Sequence, residues 1–315
     1  MPFCYLNLLF PKTPRMLRSL LICLLLPLSD YAQTTYHGTV SDAGSQLPVA
    51  FATVGLIKEN TGTTTGEDGH FNLTTSKPQP GDTLLFTALG YQPQKIATAA
   101  FSGKVALVKN VREIGEVAVK PKNWKRLLLL NKHDKDERWG SQSTDGSVSQ
   151  VAQHYTIPAT PASLEKATVY VNYHPIFAPH KGRFRLRIYG LDVATGGPGE
   201  DLCSQSIEVR GRSGKISIDL KPYQITLLEK DFFIAVEWLR IPENEYVVTD
   251  RINALKSIKK TLYYPSPWLM GQKADGANNC WMKDFSGQWK QFRYRLALPS
   301  GSLIGNYSIE ARVRY

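Results

Sequence analysis

The chain carries reactive side chains at spacings that assemble no familiar catalyst. His-Glu-x-x-His, Gly-x-Ser-x-Gly and Gly-x-x-x-x-Gly-Lys are all absent from its 315 residues. His133 has Asp136 three residues on, but in a charged stretch without an apolar wall, so a solvated face is expected there. His174 and His180 bracket Pro175-Ile176-Phe177-Ala178-Pro179, a two-ligand pair lacking the third protein ligand that a catalytic metal needs. Glu237 beside Trp238 could have a raised pKa, yet a lone carboxylate cannot run glycoside hydrolysis, and it is expected on the wetter side of its strand. Gly196-Gly197-Pro198-Gly199 reads as an inter-strand turn, since proline removes a donor amide from any phosphate cradle. No catalytic residue, metal or cofactor is expected.

Binding chemistry is better represented. Tyr263, Tyr264, Trp268, Trp281 and Trp289 stand in loop-rich sequence with Asn278, Asn279 and Asp284. Flat aromatic faces with amide and carboxylate partners suit a pyranose, whose ring has apolar faces and polar edges. Arg183, Arg185 and Arg187, with Arg293 and Arg295, form rows suited to an anionic partner such as an acidic glycan or a lipid head group. Cys203 and Cys280 could pair in an oxidising compartment, or lie apart as small buried hydrophobes.

The leader bears on that compartment. Arg15 and Arg18 precede the apolar run Leu20 to Leu28, too short to span a bilayer, and Ala32 suits a signal-peptidase cut. Residues 1–33 are therefore expected to be a secretory signal, with Met16 a plausible initiator. The net charge of +11 favours anionic neighbours but names none. Nucleic acid is not expected for an exported chain without a nucleic-acid motif.

These side chains must be positioned mostly by strands. Tyr36–Val40, Val49–Ile57, Phe71–Leu73, Thr83–Thr87, Gln94–Thr98, Val105–Val108 and Glu116–Val119 are short strand signals between turn residues, the pattern of an antiparallel sandwich. Lys120 to Arg138, with Trp124, Leu127, Leu128 and Leu130 among basic residues, reads as a short helix serving as an interdomain linker or lying on an anionic membrane. A polar spacer, Gly140 to Ser149, follows. From Val151 to Tyr315 alternation returns. Phe184, Leu186 and Ile188 oppose the three arginines, and Phe232 to Leu239 is apolar on nearly both faces, as a central strand should be. Trp281–Lys283 and Gln288–Tyr294 read as a hairpin turning at Asp284–Gly287. A larger jelly-roll-like sandwich is expected over 151–315, similar in pattern to galactose-binding-like modules.

The first body has a more specific likeness. Gly38-Thr39-Val40, Leu47-Pro48-Val49-Ala50-Phe51-Ala52-Thr53-Val54, Thr61 through Gly69-His70-Phe71-Asn72-Leu73 and Asp82 through Gly90-Tyr91 resemble the carboxypeptidase regulatory-like domain, in the version common in Bacteroidetes envelope proteins. The resemblance covers residues 34–119 and implies a seven-stranded, transthyretin-like sandwich without an active site. In that family the domain often precedes a TonB-dependent transporter, and Glu113 to Val119 resembles the junction. Fewer than two hundred residues follow, too few for a large barrel with its plug. The expectation is thus an all-β, exported, non-enzymatic protein of the periplasm, outer membrane or cell surface. It would bind a glycan or an outer-membrane protein, or serve as a structural module of an outer-membrane complex.

Overall fold

A computed structural model describes residues 33–110, 124–133, 139–142, 147–172, 181–244, 246–253, 256–262, 268–273, 279–298 and 301–315. Among these residues the structure is all-β, with three short 3-10 turns and no α-helix. The helix expected over 120–138 is replaced, among its described residues, by an extended strand at Leu127–Leu130.

The first body has seven strands, β1 (Thr34–Asp42), β2 (Thr53–Leu56), β3 (Thr61–Thr64), β4 (His70–Thr75), β5 (Thr83–Thr87), β6 (Gln94–Ala97) and β7 (Lys104–Leu107). They form two sheets, β4-β1-β7 and β3-β2-β5-β6. In β4, Phe71, Leu73 and Thr75 are buried while His70, Asn72 and Thr74 face water, the period of a half-buried strand. Phe71, Phe86 and Phe101 pack together between the sheets. Two details differ from expectation. The β1–β7 pair runs parallel. The seven strands are completed by β3, whereas the expected strand at 116–119 lies outside the described residues. Gly69 adopts φ +75°, as the Asp68-Gly69 turn requires.

The second body begins earlier than expected. Its strands are β8 (Leu127–Leu130), β9 (Trp139–Gln142), β10 (Val148–Thr156), β11 (Ala162–Asn172), β12 (Lys181–Leu191) and β13 (Pro198–Asp201). Next come β14 (Ile207–Arg212), β15 (Gly214–Asp219), β16 (Thr226–Leu227), β17 (Asp231–Trp238), β18 (Tyr246–Asn253) and β19 (Lys256–Leu262). The last are β20 (Trp268–Lys273), β21 (Cys280–Asp284), β22 (Trp289–Gln291), β23 (Tyr294–Leu298), β24 (Gly301–Tyr307) and β25 (Ile309–Arg314). One sheet runs β13-β12-β17-β10-β21-β22, with β14 also on β12. The other runs β23-β24-β20-β11-β25-β8, with β15 and β16 on β11 and β9 on β20, while β18 and β19 form a separate hairpin. The chain passes directly between the two sheets at β9–β10, β10–β11, β11–β12, β14–β15, β16–β17, β20–β21 and β22–β23, giving the jelly-roll-like layering. Phe184, Leu186, Ile188, Phe232, Ile234 and Val236 meet Leu164, Val169, Ile309 and Val313 in the core between them.

Cys203 and Cys280 are both buried and form no disulfide with each other. Cys203 follows β13, and β12, β17 and β10 separate that strand from β21, which carries Cys280. Four inter-strand steps span roughly 19 Å, well beyond disulfide reach.

The arginines of β12 are the main correction. The alternation is as expected, but the face opposite the core does not meet water. Arg183, Arg185 and Arg187 are 8%, 3% and 8% exposed. Arg185 stands opposite Glu237 in the β12–β17 register. Glu237 Oε2 accepts from Arg185 Nε at 2.9 Å and Arg187 Nη1 at 3.0 Å, and Oε1 accepts from Thr53 Oγ1 and Gln150 Nε2, each at 3.3 Å. Thr53 belongs to the first body. Arg185 Nη2 also donates to the Phe51 carbonyl at 2.7 Å, and Arg183 Nη1 to Glu67 Oε1 at 2.7 Å, both again across the seam. Arg183 also pairs with Glu208, and its guanidinium lies 4.4 Å from the Phe51 ring centroid. Asp201 takes the other side of Arg187. Burial pushes the Glu237 pKa up, and the two guanidiniums outweigh it, bringing the carboxyl down to about 2. Glu237 is thus buried and held ionised, not raised and not on a wet face.

A second contact locks the bodies. Phe285, at the tip of the β21–β22 hairpin, seats against Gly55 and Gly62, which face each other across β2 and β3. A Cβ on Gly62 would come within 2.1 Å of the Phe285 ring, so only glycine leaves this socket open. Arg240 covers the ring at 4.6 Å and donates to the Gly62 carbonyl at 2.6 Å.

Replacing Glu237 by Gln leaves two buried guanidiniums short of charge, and is expected to destabilise the chain by roughly 3–5 kcal/mol in denaturant unfolding. Because the folded pKa lies below the ordinary 4.5, the wild-type contribution is complete above that pH. It is lost as pH falls from there toward about 2. Stability measured across that window should fall more steeply for the wild type than for Glu237→Gln.

Candidate functional site

The expected aromatic surface is not one surface. Trp281 and Trp289 lie on the outer face of the β10-containing sheet, half-buried against Ala152, Tyr189, Phe233 and Ala235. The Trp281 ring packs over Gly197, in the turn that opens at Gly196 with φ +71°. Trp268 is half-buried on β20 in the opposite sheet. Asp284 is buried in its own hairpin turn, accepting from Ser286, Gln288 and Lys290. Arg293 is exposed. Tyr263, Tyr264, Asn278, His174, His180 and the Arg295 side chain lie outside the described residues.

What the fold does gather is a set of amides. A cleft of about 610 Å³ opens where β10 parts from β8, β20 and β24, lined by Asn131, Gln153, Gln272, Asn279 and Asn306 together with Leu129, Leu130, Lys132 and Lys273. Its volume falls in the range of small-molecule sites, roughly 300–1,000 Å³. Only Asn279 belongs to the group expected from sequence.

Each amide has a local reason for its place. Asn131 ends β8 with φ +50°, a left-handed conformation that asparagine tolerates better than most residues. Its Nδ2 donates to the Tyr307 and Ile309 carbonyls at 2.8 Å each, tying β8 to the β24–β25 corner. Its Oδ1 accepts from Gln272 Nε2 at 2.7 Å. Gln153 occupies the inward row of β10 between Val151 and Tyr155, and its Oε1 accepts from the Tyr307 amide at 3.1 Å, bridging the two sheets. Asn306 is 6% exposed, its Nδ2 directed at Asn131 Oδ1 at 3.5 Å. The Asn306 Oδ1 is buried and has no donor among the described residues. A buried acceptor left unpaired costs about 1–3 kcal/mol, so a ligand or water donor there is favoured.

Beside the cleft, His133 is half-buried instead of lying on an open face. Its ring stacks on Tyr170 at 3.8 Å, its amide donates to Glu310 Oε1 at 2.9 Å, and its Nδ1 lies 3.3 Å from both Gln272 Oε1 and Ser308 Oγ. Burial and the neighbouring Glu310 push the Tyr170 hydroxyl up to about 12, so it stays a donor.

Beyond Asn279, the sequence signal that could have marked this site is Gln153, a polar residue interrupting an apolar inward row. Asn131→Ala removes two bonds to buried carbonyls and is expected to lower stability by about 2 kcal/mol in denaturant unfolding.

Residues 36–119 match the model of the CarboxypepD_reg-like domain. No curated protein matches the chain. Among solved structures, the cysteine protease and lectin-like domains of Cwp84, a surface layer associated protein of Clostridium difficile, align at 10% identity with a TM-score of 0.29. That alignment covers 76% of this chain and 47% of the other, so the chain spans about half the length of that structure. The clostridial cysteine protease Cwp84 after propeptide cleavage aligns at 9% identity over 89% of this chain and 70% of the other, again with a TM-score of 0.29. At such scores neither likeness extends to a shared arrangement of the whole chain. The seven strands, the Asp68-Gly69 turn and the family match agree that residues 36–119 are a CarboxypepD_reg-like domain.

Proposed function

We propose that this chain is an exported, non-enzymatic binding protein of the cell envelope, in which the second sandwich holds a saccharide in the amide-lined cleft. The first sandwich acts as a rigid brace. The observation that carries the reading is the cleft wall, where Asn306 Oδ1 is buried without a donor among the described residues, beside the apolar Leu129 and Leu130. Amide groups with one apolar wall suit the polar edge and carbon-bound face of a sugar ring. The described lining contains no carboxylate, so the acid–base pair of glycoside hydrolysis has no counterpart in it. Export is supported by the basic, apolar and small-residue order of residues 15–32.

Isothermal calorimetry of the full chain against a panel of neutral and acidic oligosaccharides tests this. Saturable binding by at least one sugar is expected, weakened about tenfold or more by Asn306→Leu. Absence of binding across the panel, or binding indifferent to Asn306→Leu, would count against it.

A second reading, docking to an outer-membrane protein, is favoured by β8, an outermost strand carrying Leu127 and Leu129 at 54% and 42% exposure. If that strand is the docking edge, a membrane partner co-purifies with the native chain and is lost on Leu127→Lys with Leu129→Lys.

A further inference from the structure

Inside the cleft, the groups left over for a ligand are few. Asn131 and Gln272 are committed to each other and to backbone carbonyls. Gln153 Oε1 is held by the Tyr307 amide. What remains is the Asn306 Oδ1 acceptor and the half-buried Asn279 side chain, whose amide has no bond among the described residues. To these the mouth adds Lys132 and Lys273, both exposed.

Among the described residues the charge lining the cleft is one-sided. Two lysines line the cleft, while no Asp or Glu does so among the described residues. Two described carboxylates bonded to residues in or beside the lining are engaged elsewhere. Asp231 accepts from His154 Nε2 at 3.0 Å and from Thr156 Oγ1 at 2.6 Å. Glu310 accepts from the His133 amide and the Tyr170 hydroxyl. Neither lysine has an ion-pair partner among the described residues. A site for a neutral sugar commonly presents carboxylate acceptors to its hydroxyls. Here the acceptor is an amide oxygen and the charged groups are cations, which bind carboxylates.

Building on the cleft reading, we infer that the ligand is an acidic saccharide of the uronic-acid class. A ring hydroxyl donates to Asn306 Oδ1, Asn279 bonds a second hydroxyl, and the sugar carboxylate sits between Lys132 and Lys273. The apolar end of β8 faces the carbon-bound side of the ring. The inference concerns binding alone and involves no bond made or broken in the sugar.

The test uses the full chain and oligosaccharides from polygalacturonate and from alginate, each beside its carboxyl-reduced counterpart. Calorimetry at low salt is expected to favour at least one acidic form over its reduced counterpart by about fivefold or more. Added salt should narrow that preference. Lys132→Ala with Lys273→Ala should abolish it while leaving the melting temperature unchanged. Equal or tighter binding of the reduced forms, or binding confined to neutral sugars, overturns the inference and leaves the saccharide cleft standing. No binding by any sugar overturns both.

Discussion

A single carboxylate organises the seam between the two bodies. Glu237 is removed from water on a central strand, where an isolated charge would be untenable, and it is retained because four donors converge on it. Two of those donors are arginines of the neighbouring strand, and a third is a threonine from the other sandwich. The carboxylate therefore fixes the guanidiniums, and the guanidiniums reach across to Phe51 and Glu67. Breaking a buried pair on one side leaves the other charge exposed to a low-dielectric surrounding, which is why such networks resist piecemeal change.

The network changes what the chain can offer a partner. Three of the five arginines that looked suited to an anionic ligand are neutralised inside the molecule. In the proposed reading, the surface available for recognition is the cleft where the two sheets part. There the fold presents amides and lysines in place of arginines and tryptophans, and the chemistry of any bound sugar follows from that substitution.

Much of the fold was readable from the residues, and the reasons for the misses are physical. Alternation in Phe184, Leu186 and Ile188 identified the core face of β12 correctly. It could not say whether the other face met water or a second body, because both surroundings produce the same period. The four leucines at 127–130 suggested a helix, since leucine favours one, but pairing with β25 overrides that preference. β3 was overlooked because Thr61-Gly62-Thr63-Thr64 has no apolar alternation, its glycine being reserved for Phe285. Of the cleft, only Asn279 was expected from the sequence, and Gln153 was the further polar interruption that could have marked it. Asn131, Gln272 and Asn306 stand far apart in sequence, and sheet order alone brings them together.

Phe51 adopts φ +54°, an uncommon backbone conformation for a bulky side chain. Its ring lies under Arg183 and its carbonyl accepts from Arg185, so the second sandwich supplies the contacts that hold this bend. The loop leading into β2 is consequently a shared possession of both sandwiches. Excised from its neighbour, the family domain would have every reason to let that loop relax to an ordinary conformation, and its native shape is in this sense a property of the pair.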